Sequence, residues 1–163
     1  MKIFQGAVRQ WCVLRLALVG AGIAIYLTTV HYAQVPLLCS AQGVVNCERV
    51  TSSSYSVVPG TTLPITLPGL AWFLVSAALA VGGIRTRAHW LRLVQLVWMI
   101  LGIATVMYLV YVELVILHTL CLWCTAVHII IFVSLLLAIV EYVLSGQEEP
   151  ETEEEDALAA HLH

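Results

Sequence analysis

The most constraining feature of this sequence is a nearly uninterrupted apolar stretch from Leu93 to Leu144, 52 residues long. As one helix it would extend about 78 Å at 1.5 Å per residue, whereas the hydrocarbon core of a bilayer is about 30 Å thick. The stretch therefore predicts two membrane helices joined by a tight turn at the polar pair His118-Thr119. With 61% hydrophobic and 10% charged residues, the chain is not an ordinary soluble domain, which carries about 25% charged residues.

Two further apolar runs complete the predicted architecture. The first is too long for the apolar segment of a signal peptide, and the second begins near Pro64 and Pro68, which a first helical turn tolerates. The predicted spans are about 11–32, 65–84, 93–117 and 120–144. We therefore predict an all-α integral membrane protein, a four-helix bundle over residues 1–146 with a long outer loop at 33–62.

Basic residues are distributed unevenly between the two sides of the predicted bundle. Six lie at the N-terminal end or between the second and third spans, and only Arg49 lies on the other side. The six are Lys2, Arg9, Arg15, Arg85, Arg87 and Arg92. Because cytoplasmic loops are rich in lysine and arginine, we predict cytoplasmic termini and a multi-pass protein of the cytoplasmic (inner or plasma) membrane. Seven of the ten acidic residues lie between Glu148 and Asp156, so 147–163 is predicted to be a disordered acidic tail.

Four of the five cysteines fall on the predicted outer face. Cys39 and Cys47 lie in the long loop, and Cys121 and Cys124 form a C-x-x-C motif at the start of the fourth span. A thiolate in the first turn of a helix is stabilised by free N–H groups, which lowers the pKa of Cys121 and favours its thiolate form. A pair on a loop beside a pair on a rigid helix end favours a thiol–disulfide relay, in which one partner must be able to move.

The same residues are also compatible with roles outside a relay. Two structural disulfides would account for the loop pair, although a helix end needs no staple between residues three apart. A metal or haem site would use Cys121, Cys124 and His128, which share a helical face. Cys12, at the cytoplasmic end of the first span, is interpreted as a packing residue. Glu113, in the third span, is either a proton-handling group or a side chain that reaches toward the interface.

The order of the motifs resembles that of the vitamin K epoxide reductase family, in particular its bacterial homologues, over about residues 10–144. The matching segments are Cys39 to Cys47 followed directly by Glu48-Arg49-Val50-Thr51-Ser52-Ser53, the Pro64 to Gly69 start of the second span, and Tyr108-Leu109-Val110-Tyr111-Val112-Glu113 leading to Cys121-Leu122-Trp123-Cys124. The DsbB family, which resembles this chemistry, carries its C-x-x-C in the first periplasmic loop, so the order here argues against it.

The resemblance implies a four-helix bundle around a quinone, either menaquinone or ubiquinone, with a partly helical first loop capping the site. It implies that Cys39 exchanges with a substrate protein, that Cys47 passes electrons to Cys121, and that Cys124 faces the quinone. Ser53 matches the family's loop serine near the quinone, with a plain loop serine as the alternative. The further candidate quinone contacts are Trp72, Phe73 and His128, for which packing in the bundle is the alternative. No metal is expected.

The resemblance also bears on substrate and partner. Animal members carry a tyrosine at the position of His128 and an asparagine near the start of the second span, and this chain has neither. This favours disulfide bond formation over the alternative, reduction of vitamin K epoxide or quinone as in animal relatives. Many bacterial relatives carry a fused thioredoxin-like domain, but only 19 residues follow Leu144. A separate DsbA-like thioredoxin-fold partner is therefore implied, with a monomer in the lipid bilayer and no nucleic acid.

Overall fold

The computed structural model describes residues 2–35, 37, 39, 44–86 and 88–146. The helices, in chain order, are α1 (Lys2–Ala33), α2 (Cys47–Thr51), a 3₁₀ turn (Ser54–Ser56), α3 (Thr66–Arg85), α4 (His89–Tyr111), a π-helical turn (Val112–Ile116) and α5 (Leu122–Gly146). The only extended pairings within the described ranges are two isolated bridges. The predicted fold, four membrane helices with a partly helical loop between the first two, is confirmed.

Four of these helices are long and apolar enough to cross a membrane. They are α1, α3, the continuous helix from α4 through the π-helical turn, and α5. α1 begins well before the predicted start at residue 11, and α5 begins at Leu122 rather than at 120. The predicted acidic tail at 147–163 and the basic residue Arg87 lie outside the described residues. The orientation of the bundle in the membrane stays a prediction.

The four long helices pack in a closed ring, in which α1 and α4 each contact both α3 and α5. Small residues on α1 permit the close approach of α3. Ala17, Ala21 and Ala24 are buried there, and a Cβ atom at Gly20 would overlap the ring of Phe73. Lipid offers no hydrophobic drive for helix association, so close contact of this kind is what stabilises such bundles.

A polar network lies at the end of the bundle opposite the C-x-x-C motif. The buried carboxylate of Glu141 accepts a hydrogen bond from Arg9 (Nε to Oε2, 2.6 Å) and lies 3.5 Å from Nε of Arg92. Next to this group the buried amides of Gln10 and Gln95 exchange hydrogen bonds of 3.1 and 3.2 Å. These contacts connect α1, α4 and α5, so this end is fixed by paired polar groups, while the other end carries Cys47, Cys121 and Cys124.

Candidate active site

The loop cysteines form a disulfide at the start of α2. Cys39 and Cys47 are bonded to each other, with 6.1 Å between their Cα atoms. Asn46 caps α2, because its side-chain oxygen accepts a hydrogen bond of 3.0 Å from the backbone N–H of Arg49. Cys47 is 1% exposed, whereas Cys39 is half-buried. A protein that approaches from outside the bundle therefore meets Cys39 before Cys47.

The loop docks onto the turn between α4 and α5 through backbone hydrogen bonds. The N–H of Asn46 donates to the carbonyl of Leu120 (3.0 Å), and the N–H of Leu120 donates to the carbonyl of Val44 (2.9 Å). As a result, the backbone N–H of Leu122 donates to the sulfur of Cys47 at 3.3 Å. The buried sulfur of the loop disulfide thus lies at the first residue of α5, next in sequence to Cys121.

Cys121 and Cys124 are free thiols at the beginning of α5. The expectation that Cys121 lies within the first helical turn is corrected, because α5 starts at Leu122 and Cys121 caps it from outside. Its sulfur accepts the N–H of Cys124 (3.3 Å), and its carbonyl accepts the N–H of Thr125 (2.9 Å). The hydrogen bond from the Cys124 thiol lowers the pKa of Cys121, and burial opposes this effect. The predicted preference for a thiolate at Cys121 has this physical basis.

Glu113 lies beneath the same helix end. It is 3% exposed, and its Oε2 accepts the backbone N–H of Cys121 at 3.4 Å. Its carboxyl group is also hydrogen-bonded to the thiol of Cys124. The π-helical turn carries Glu113, whose carbonyl accepts the N–H of Thr119 (2.9 Å). The side chain is therefore directed into the cysteine site and does not reach toward the interface.

An apolar cavity of about 290 Å³ opens between α1, α3, α4 and α5. Of the predicted quinone contacts, its wall contains Trp72, Phe73, Cys124 and His128. The ring of Trp72 lies against Gly102, and its Nε1 is buried with no hydrogen-bond partner among the described residues. An apolar wall with a few polar groups is typical of small-molecule sites. The unpaired indole N–H and the thiol of Cys124 fit a quinone, which has carbonyl acceptors and a flat ring.

Ser53 lies in a different place. It lines a second cavity of about 400 Å³ between the C-terminal end of α1 and the loop, and its hydroxyl donates to the carbonyl of Val50 at 2.7 Å. It is not in the wall of the apolar cavity, although Leu27 lines both. The contact of Ser53 with a quinone stays a prediction.

Two remaining interpretations of cysteine and histidine residues can be compared with the structure. Within the ranges that the structure describes, no group of three or more His, Cys, Asp or Glu side chains could hold a metal ion. Cys12 is exposed on the surface of α1, so its interpretation as a packing residue is wrong. Two features of the site were not predicted from the sequence: the backbone pairing of Val45 with Leu120, and the buried indole N–H of Trp72 that has no hydrogen-bond partner among the described residues. Neither feature has a sequence signal.

Comparison with protein families supplies the assignment. Residues 11–139 match the model of the Vitamin K epoxide reductase family. The chain belongs to this family. A comparison with curated proteins gave no match. The predicted resemblance is confirmed, and membership in the family supports a redox function of the disulfide and quinone type for this multi-pass membrane protein.

Proposed function

We propose that this member of the family reoxidises a DsbA-like thioredoxin-fold protein outside the cytoplasmic membrane and transfers the electrons to a membrane quinone. The observation that carries the proposal is the position of three sulfurs at one helix end. Cys47 accepts the N–H of Leu122, Cys121 caps the same helix, and Cys124 lines the apolar cavity. The uneven distribution of basic residues supports the assignment of this end to the oxidising side.

The first half of the reaction takes place at the loop. A thiolate of the partner attacks Cys39, forms a mixed disulfide and releases Cys47 as a thiolate. The second thiol of the partner resolves the mixed disulfide, which leaves Cys39 and Cys47 reduced and the partner oxidised. Attack at Cys39 rather than Cys47 follows from their exposure, because Cys47 is only 1% exposed.

The second half transfers the electrons inward. The Cys47 thiolate attacks Cys121 of a Cys121–Cys124 disulfide and releases Cys124, and Cys39 then attacks Cys47 to restore the loop disulfide. The products are a Cys39–Cys47 disulfide and two thiols at Cys121 and Cys124, which is the arrangement found in the structure.

The apolar cavity is the proposed quinone site. A bound quinone would supply a two-electron acceptor, and the chain would supply its binding groups. Trp72 would donate its unpaired N–H to a carbonyl oxygen, and Phe73 would pack against the ring. Cys124 and His128 are on the α5 wall of the same cavity, so the electron-donating thiol is next to the bound ring.

Complementation tests this function. The chain is expressed in bacterial cells that lack their own quinone-linked disulfide generator, and the thiol state of the periplasmic oxidase is measured by alkylation. We expect an oxidised oxidase with the wild-type chain and with Cys12→Ala, whose side chain lies outside the site. Alanine at Cys39, Cys47, Cys121 or Cys124 should leave the oxidase reduced. An oxidase that stays reduced while the wild-type chain is present in the membrane would refute the proposal.

The same experiment separates the main alternative. If the four cysteines form only structural disulfides, the wild-type chain will not change the thiol state of the oxidase. In that case Cys124→Ala should also have no redox phenotype.

A further inference from the structure

Glu113 is a buried ionisable group within a membrane helix, and such groups are costly and mark functional sites by default. Its carboxyl group contacts the N–H of Cys121 and the thiol of Cys124. These two cysteines are the titratable groups that interact with it in the described part of the chain. It takes no part in the Arg9, Arg92 and Glu141 network at the other end of the bundle. Its contacts are therefore with the reacting cysteines themselves.

Cys124 needs a proton partner at two steps of the proposed relay. When Cys47 attacks Cys121, the sulfur of Cys124 leaves as an anion beside an apolar cavity, where an unpaired charge is costly. When Cys124 later gives its electrons to the acceptor, its thiol must lose a proton at the same place. The carboxyl group of Glu113 is hydrogen-bonded to that sulfur in the structure, so it is positioned to serve both steps.

We propose that Glu113 is the general acid and general base for Cys124. In the first step the protonated carboxyl donates its proton to the departing Cys124 thiolate as the Cys47–Cys121 disulfide forms and the Cys121–Cys124 disulfide breaks. In the second step the carboxylate takes the proton back as Cys121 and Cys124 are oxidised to a disulfide. Glu113 begins and ends protonated, so the two protons of the quinol come from water and replace the two released by the partner's thiols. This inference rests on the proposed function.

The π-helical turn gives the proposal an independent structural basis. A π-turn holds one residue more than the corresponding α-turn and is frequent at functional sites. Here it spans Val112–Ile116, and the N–H of Leu117 closes it on the carbonyl of Val112 at 2.9 Å. Both Val112 and Glu113 are buried within this turn. The irregular turn thus lies where the carboxyl group meets the thiol.

The test follows thiol formation in protein freed of quinone, with both disulfides formed beforehand. Dithiothreitol is added, samples are quenched with acid, and each cysteine is assigned as thiol or disulfide by alkylation and peptide mass. In the wild type we expect thiols to accumulate first at Cys121 and Cys124, because each transfer restores the loop disulfide. In Glu113→Gln the loop thiols should accumulate at least as fast as in the wild type, and those at Cys121 and Cys124 should form about a hundredfold more slowly, since general acid catalysis contributes about 10²–10⁴-fold.

Two variants serve as controls. Glu113→Asp retains a carboxyl group and should recover part of the lost rate. Glu48→Gln makes the same chemical change at an exposed side chain and should behave as wild type. In Glu113→Gln the glutamine retains an oxygen that can accept the N–H of Cys121. Binding of 2-methyl-1,4-naphthoquinone to this variant is measured by tryptophan fluorescence, and unchanged binding shows that the site is folded.

The outcomes separate this inference from the function on which it rests. Equal rates at Cys121 and Cys124 in the wild type and Glu113→Gln would overturn the role of Glu113 and leave the relay intact. A slower loop reaction in Glu113→Gln would also overturn it, because that result assigns Glu113 to loop docking. If the wild type itself never transfers electrons from the loop to Cys121, the proposed function fails and the inference fails with it.

Discussion

Gly102→Ala should close the proposed quinone cavity. A Cβ atom at Gly102 would lie 2.5 Å from Cζ2 and 2.9 Å from Cε2 of Trp72, whereas ordinary contacts begin near 3.4 Å. The indole ring would therefore have to move by about 1 Å. It is confined by the stacked ring of Trp98, with 6.2 Å between ring centroids, and by the edge-on ring of Phe73 at 5.1 Å. The open direction is the cavity, whose wall includes both Trp72 and Gly102.

The expected magnitude follows from the cost of overpacking, about 1–3 kcal/mol in a well-packed site. A bound quinone ring would have to push the displaced indole back against the new methyl group, so this cost would weaken binding by about 5–150-fold. The dissociation constant of 2-methyl-1,4-naphthoquinone is measured by quenching of tryptophan fluorescence in detergent micelles. Gly22→Ala is the matched control, because a Cβ atom there meets nothing within 4 Å. Wild-type affinity in Gly102→Ala, or an equal loss in Gly22→Ala, would show that the cavity is not the quinone site.

Three further predictions follow from contacts at the two ends of the bundle. Asn46→Ala removes the cap of α2, and losing such a cap costs about 1 kcal/mol. Electron transfer from Cys47 to Cys121 should therefore slow about fivefold, whereas Asn46→Asp retains the cap and should keep the wild-type rate. Equal rates in the wild type and both variants would contradict this prediction. Cys124→Ala removes the hydrogen bond that lowers the pKa of Cys121. The pH at which alkylation of Cys121 reaches half its maximal rate should therefore rise. An unchanged or lower value would be inconsistent with this cause. Glu141→Ala leaves Arg9 and Arg92 without their carboxylate partner and should lower the free energy of unfolding by about 3 kcal/mol. This free energy is measured by denaturant titration in mixed micelles. An unchanged denaturation midpoint would argue against a stabilising network.

The helices and the order of the cysteines could be predicted because both depend on local sequence. Apolar runs long enough for the bilayer become helices whatever their neighbours are, since every backbone group must be paired within the segment. The ends of the helices were less predictable. His118 adopts a left-handed conformation (φ 50°), which ends the preceding helix and delays the start of α5 to Leu122.

The detailed contacts of the site depend on tertiary pairing that no local pattern encodes. The position of Cys47 at Leu122 follows from a backbone bridge between Val45 and Leu120, two residues far apart in the sequence. The burial of Glu113 depends on a π-helical turn, which has no sequence signature comparable with a cap or a proline. The prediction for Ser53 rests on the family resemblance alone, and its position in the second cavity reflects the path of the loop after α2.

The central claim, that Cys47 and Cys121 exchange electrons directly, is tested by trapping the disulfide between them. In Cys124→Ala protein, the Cys121 thiolate can attack the Cys39–Cys47 bond, and alanine at position 124 cannot resolve the product. After incubation at pH 9 and acid quench, peptide mass spectrometry without reduction identifies the cross-linked pair. The account predicts a Cys47–Cys121 disulfide with Cys39 as the released thiol. A Cys39–Cys121 disulfide, or an intact Cys39–Cys47 bond with Cys121 still free, would contradict it.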